Sequence, residues 1–145
     1  MNYNKILLTS DHAGYLVKAF ILSYLRKFGY QVIDLGTNSE LSVDYPDFAH
    51  ALAKQLDTND IGIAVCGSGN GIAMALNRHP NIRAALCWEM EIAQLARLHN
   101  NANVCVLPGR FISLKDTEKI VETFLNSSFE GGRHSNRIEK INLFD

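Results

Sequence analysis

The sequence has little with which to hold a polyanion or a membrane. Lys and Arg number 14 against 15 Asp and Glu, a formal net charge of -1. No window is strongly basic, so the electrostatic footprint that nucleic acid demands is missing. No apolar run approaches the roughly 20 residues that span a bilayer. Cysteine is scarce and odd in number, and Cys66, Cys87 and Cys105 form no CxxC pair. That excludes a disulfide framework and zinc-ribbon spacing. The five histidines fall in no HExxH or similar pattern, so no metal site is expected. The start, MNYNKILLTSDH, lacks a basic region, a long apolar core and a small-residue cleavage site, so a secretory signal is not expected. Unpaired thiols then predict a reduced, cytoplasmic setting. Repeats, low-complexity tracts and linkers are also missing.

What is there is a chain of 145 residues, 47% of them hydrophobic. That predicts one domain over 1–145 with a substantial core. Residues 5–10 (KILLTS) read as a first strand and His12-Ala13-Gly14 as a turn. Over 15–28, Leu16, Phe20, Leu22 and Leu25 recur near helical spacing, with Lys18, Arg26 and Lys27 facing out. Gly29 is a helix stop before a second strand at 30–35. A polar loop at 36–44 leads to a helix at 46–56 with Pro46 in its first turn. A third strand at 61–65 ends in Cys66-Gly67-Ser68-Gly69-Asn70-Gly71, and Pro80 limits the helix that follows. Strand, helix, strand and helix then succeed one another at 83–87, 89–99, 103–107 and 113–125, where Ser113 and Asp116 resemble an N-cap pair. Residues 129–136 read as a loop and 137–143 as a terminal helix. Five apolar strands separated by helices predict an α/β fold with a parallel sheet covered on both faces.

Ligands of such sheets gather beyond the carboxyl ends of the strands. Asp11 and His12 follow strand one, the glycine loop follows strand three, and Arg110 follows strand five. Three glycines at alternate positions permit a tight backbone whose N–H groups converge on an anion, or on an oxyanion formed during reaction. A tight turn without a ligand is the alternative, and the interleaved Ser68 and Asn70 favour the anion. Cys66 beside that loop is either a thiolate base or nucleophile, or a small buried hydrophobe. Its position alone leaves both open. Cys87 and Cys105 belong to the core. His99, ahead of Asn100, suits proton transfer at neutral pH but equally suits capping a helix end. His50 and His79 read as ordinary surface or helix-end residues. Arg133 and Arg137 share a face if their segment is helical, which suits phosphate or plain solvation.

Two functions of different class follow. One is an enzyme on a small phosphorylated substrate, with arginines on the phosphate, the glycine loop on an oxyanion, and Cys66 and His99 moving protons. The other is a dinucleotide-binding module, since Glu89 lies about 20 residues past the loop. Ile72 stands after GSGNG, so the GxGxxG pattern is broken, and the enzyme is preferred.

Asp11-His12-Ala13-Gly14, CGSGNGIA at 66–73, RLHNNANV at 97–104 and EGGRHSNRI at 130–138 resemble the type B ribose-5-phosphate isomerases, a family shared with galactose-6-phosphate isomerase subunits. The four motifs span nearly the whole chain in the right order. The resemblance implies a Rossmann-like three-layer sandwich with a five-stranded parallel sheet. It implies a homodimer, in some members paired into tetramers, with the active site at the subunit interface and no metal or organic cofactor. By position, Cys66 matches the general base, Ser68 a proton shuttle between sugar oxygens, and Gly67, Ser68, Gly69, Asn70 and Gly71 the enediolate cradle. His99 matches the ring-opening acid/base. Asp11, His12, Asn100 and Tyr45 match sugar contacts, and Arg110, Arg133 and Arg137 the phosphate end. Members without the cysteine use a carboxylate, whereas Cys66, Ile72 and Ala73 place this chain with the cysteine type. The implied reaction interconverts ribose 5-phosphate and ribulose 5-phosphate in the pentose phosphate pathway. A six-carbon sugar phosphate such as allose or galactose 6-phosphate is the alternative substrate.

Overall fold

The structure, a computed structural model, describes residues 3–142. Five apolar segments form strands: β1 (Ile6–Ser10), β2 (Val32–Asp34), β3 (Ile61–Cys66), β4 (Ala84–Leu86) and β5 (Val104–Pro108). Between and after them lie α1 (Tyr15–Lys27), α2 (Tyr45–Gln55), α3 (Asn70–Leu76), α4 (Met90–Asn100), α5 (Leu114–Asn126) and α6 (Arg133–Glu139). The sheet runs β2-β1-β3-β5-β4, every pair parallel. Central strands β1, β3 and β5 are buried at every residue, while the edge strands β2 and β4 are half-buried. That gradient explains why the central strands are unbroken apolar runs.

Side-chain alternation along each strand sorts the core into two clusters. Ile6, Leu8, Ile61, Ile63, Val65, Cys105 and Leu107 face α1, α4 and α5, contributing to one cluster with Ile21, Ala93 and Phe124. Leu7, Ala64, Cys66, Val104 and Val106 face α2 and α3, packing with Leu52, Ile72 and Leu76. The result is the Rossmann-like three-layer sandwich. Cys66 therefore belongs to the α2/α3 side and the helix carrying His99 to the other.

Local signals explain most boundaries. Gly29 ends α1 in the left-handed region at φ 81°. Pro46 sits in the first turn of α2. The Ser113 hydroxyl accepts the Asp116 N–H at 3.0 Å and caps α5. Cys87 and Cys105 are buried, as expected.

Two expectations need correction. The buried stripe of α1 is Val17, Ile21 and Leu25, with Leu16 exposed. Lys18, expected to face out, is 2% exposed because its ammonium reaches Asp34 Oδ1 at 2.6 Å, at the end of β2. The terminal helix begins at Arg133, four residues early, since Gly131 and Gly132 take positive φ and turn the chain sooner. It ends at Glu139, and residue 143 of the expected helix lies outside the described residues. Among the described residues no helix is long and apolar enough to cross a membrane.

Candidate active site

Strand order reverses between β1 and β3, and side chains that can bind a ligand collect beyond the carboxyl ends of these two strands. Asp11 leaves β1 with its N–H donating to Val65 O, and its Oδ1 accepts the Gly14 N–H at 3.1 Å. Gly14 is required there, because a Cβ would lie 2.5 Å from Val65 O. This close approach locks the Asp11–Gly14 turn against the strand that delivers Cys66. The His12 Nδ1 accepts the Val43 N–H at 3.2 Å. In that arrangement the neutral ring carries its hydrogen on Nε2, which becomes a donor. A cavity of about 560 Å³ opens beside these groups, lined by Asp11, His12 and residues 42–47, including Tyr45.

The glycine loop forms the adjacent wall. Cys66 ends β3 at 4% exposure, and its carbonyl accepts the Gly109 N–H. The Gly67 carbonyl accepts the Arg110 N–H, which fastens the loops after β3 and β5 to each other. A Cβ at Gly67 would lie 3.7 Å from Arg110 Nη1, so the guanidinium flanks the loop. Ser68 is exposed and its hydroxyl accepts the Asn70 N–H at 3.3 Å. Gly69 is left-handed at φ 79° and packs where a Cβ would strike Leu86 and Val106. Gly71 lies under the Tyr45 ring, which a Cβ would enter at 2.5–2.8 Å. The structure thus brings together Asp11, His12, Tyr45, Cys66, Gly67, Ser68, Gly69, Asn70, Gly71 and Arg110.

It does not bring His99, Asn100, Arg133 and Arg137 to the same place. Helix α4 starts beyond the carboxyl end of β4 and ends where the chain enters β5, at the amino edge of the sheet. Its 11 residues rise about 16 Å. The carbonyls of Asn100 and Asn101 there accept from Arg83, which precedes β4. His99 is therefore separated from Cys66 by the length of the sheet as well as by its thickness.

At that edge His99 has companions that the sequence did not tie to it. His134 stacks on it, ring centroids 4.3 Å apart at 13°. Glu130 Oε2 lies 3.9 Å from His99 Nε2 and 3.7 Å from His134 Nε2. The Glu130 N–H donates to Leu98 O, fixing the loop to the end of α4. Burial, then His99, Arg133 and Arg137, lower the His134 pKa, and Glu130 opposes them. Arg133 and Arg137 stand on one exposed face of α6. The available signal was His134 between the two arginines, four residues after Glu130. A second pair was also missed: His50 Nδ1 and His79 Nε2 are 2.7 Å apart.

Fold and loop define the class: a doubly wound α/β protein with a thiol and a glycine loop at the point where strand order reverses. The family of ribose and galactose isomerases matches residues 6–141, and the chain belongs to it. Ribose-5-phosphate isomerase B of Escherichia coli K12 is 38% identical, the match covering 97% of this chain and 96% of that one. The crystal structure of a ribose 5-phosphate isomerase from Thermotoga maritima is 48% identical, with TM-score 0.94 over 97% of this chain and 98% of that chain. Ribose-5-phosphate isomerase B from Mycoplasma genitalium, solved with bound ribulose-5-phosphate, is 42% identical, with TM-score 0.91 over 94% of this chain and 93% of that chain.

Proposed function

We propose that this chain is an aldose–ketose isomerase that interconverts ribose 5-phosphate and ribulose 5-phosphate, in the cytoplasm and within the pentose phosphate pathway. The observation that carries the reading is the Cys66 thiol, held at the foot of the glycine loop in a member of this isomerase family. The reaction is redox-neutral, since C1 is reduced as C2 is oxidised in the same molecule. Proton carriers therefore suffice, without a metal or organic cofactor.

His99 passes a proton to the ring oxygen and helps remove one from the C1 hydroxyl, so that the furanose opens to the aldehyde. Cys66 thiolate then removes the C2 proton, and its electron pair forms the C1–C2 double bond of an enediolate. N–H groups from Gly67 to Gly71 stabilise the oxyanion, which only the reacting state fully develops. Ser68 moves a proton between O2 and O1, and the Cys66 thiol returns its proton to C1. Asp11, His12, Tyr45 and Asn100 hold the sugar, with His12 donating from Nε2. Arg110, Arg133 and Arg137 hold the phosphate.

The catalytic unit is a homodimer, in which Cys66 of one copy meets His99, Asn100, Arg133 and Arg137 of the other. The intrachain separation of these two groups supports this, because proton transfer needs contact at hydrogen-bond range. A coupled assay on ribose 5-phosphate with EDTA present, beside allose and galactose 6-phosphates, tests the reading. Metal-independent turnover fastest on the five-carbon sugar is expected. Turnover confined to a six-carbon sugar would move the substrate, and turnover of none would overturn the proposal.

A further inference from the structure

We propose that His99, Glu130 and His134 form a binding site for a divalent transition metal of the zinc type, at which bound metal suppresses the isomerase. One ligand atom from each residue lies within 4.8 Å of the others. The two imidazole Nε2 atoms face one carboxylate oxygen, Glu130 Oε2, at 3.9 and 3.7 Å. Ligand atoms around tetrahedral zinc stand about 3.3–3.4 Å apart, from metal–ligand bonds of ~2.0–2.1 Å. Contractions of a few tenths of an ångström close the two histidine–carboxylate edges. The stacked rings must splay for both nitrogens to aim at one ion. His99 and Glu130 are partly exposed and can move, whereas His134 is held at 8% exposure.

The donor set selects the metal. Two imidazoles and one carboxylate suit zinc and its neighbours, while magnesium and calcium prefer oxygen ligands throughout. Three protein ligands leave a fourth position for water. The cluster is preformed by the backbone: Glu130 is tied to Leu98, Gly131 and Gly132 turn back with positive φ, and the His134 N–H donates to Gly131 O. Arg133 and Arg137 repel a cation, which keeps the affinity below that of a structural zinc site. The inhibitory consequence rests on the proposed ring-opening role of His99: coordination occupies the lone pair that would carry the proton.

Calorimetric titration of the full chain with zinc alone tests the site, in a Cys66→Ala background where that thiol cannot compete. One ion per chain is expected, undisturbed by millimolar magnesium. Affinity should fall at least about tenfold in Glu130→Gln and in His134→Asn, since even outer-shell partners are worth that much. In the otherwise native chain, zinc should slow isomerisation of cyclic ribose 5-phosphate, EDTA should restore it, and Glu130→Gln should resist the metal. No saturable binding, or binding undiminished in both variants, would overturn the site. Zinc bound at these residues with turnover unchanged would overturn the inhibitory role, and would place the fault with the reading of His99 rather than with the isomerase assignment.

Discussion

The buried pair of Lys18 and Asp34 makes a prediction whose size follows from its asymmetry. The lysine is 2% exposed and the aspartate 22%, with 2.6 Å between Nζ and Oδ1. The same Oδ1 also accepts the Gly36 N–H at 2.9 Å. Asp34→Ala leaves an ammonium in the interior without its counter-charge, which costs about 3–5 kcal/mol. Lys18→Met leaves a carboxylate with one N–H donor and some water, a loss of about 1–3 kcal/mol. The double variant Lys18→Met/Asp34→Leu removes both charges and should lie closer to the parent than Asp34→Ala does. Urea unfolding at one fixed protein concentration gives the three values, because the stability of the proposed dimer would depend on concentration. At about 2–4 °C per kcal/mol for a chain of this size, Asp34→Ala should melt on the order of 10 °C early. A function readout accompanies it. Gly36 and Thr37 exchange hydrogen bonds with Ser10, immediately before Asp11, so Asp34→Ala should also raise KM. An Asp34→Ala variant within about 1 kcal/mol of the parent would refute the claim that the pair must be broken together.

Further outcomes follow from other contacts. Gly14→Ala drives a methyl into Val65 O, which is backbone and cannot rotate away. It should cost at least about 1–3 kcal/mol and depress kcat through Cys66, measured by urea unfolding and steady-state kinetics. Burial first, then His50 and Lys54, lower the His79 pKa below its usual 6.5. The unfolded chain then binds the proton more readily, so this contribution to stability is full above pH 6.5 and is lost as pH falls through the folded pKa. Melting temperature against pH should fall below that point, and His79→Gln should flatten the slope. Arg137→Ala should raise KM for the sugar phosphate while sparing kcat, and an unchanged KM would leave Arg137 a solvated surface charge.

Most of the fold was legible because hydrophobic period and turn chemistry agree along the chain. Pro46, Gly29 and the Ser113–Asp116 pair mark helix ends for reasons confined to a few residues. Lys18 was not legible, since a charge in the helix is expected outside until its partner at the end of β2 is known. The start of α6 was missed because Gly131 and Gly132 read as loop, although two positive-φ residues can also aim the chain directly into a helix. The carboxyl-edge residues were visible one by one as strand-end positions. What the sequence could not reveal is which of them meet. Asp11, Tyr45, Cys66 and Arg110 converge only through the strand order, and His99 departs to the opposite edge for the same reason. The link of Glu130 and His134 to His99 escaped because it joins α4 to α6 and to the loop before α6.

The separation of Cys66 from His99 is the central claim, and mixing two variants that the proposed roles make inactive tests it most directly. Cys66→Ala and His99→Asn are purified, unfolded together at equal concentration, refolded and assayed on ribose 5-phosphate. In a two-fold dimer each mixed pair rebuilds one site from a native Cys66 and a native His99. Random pairing makes half the dimers mixed with one good site of two, so about a quarter of the parent activity should return. A mixture as inactive as either variant alone would contradict the shared site.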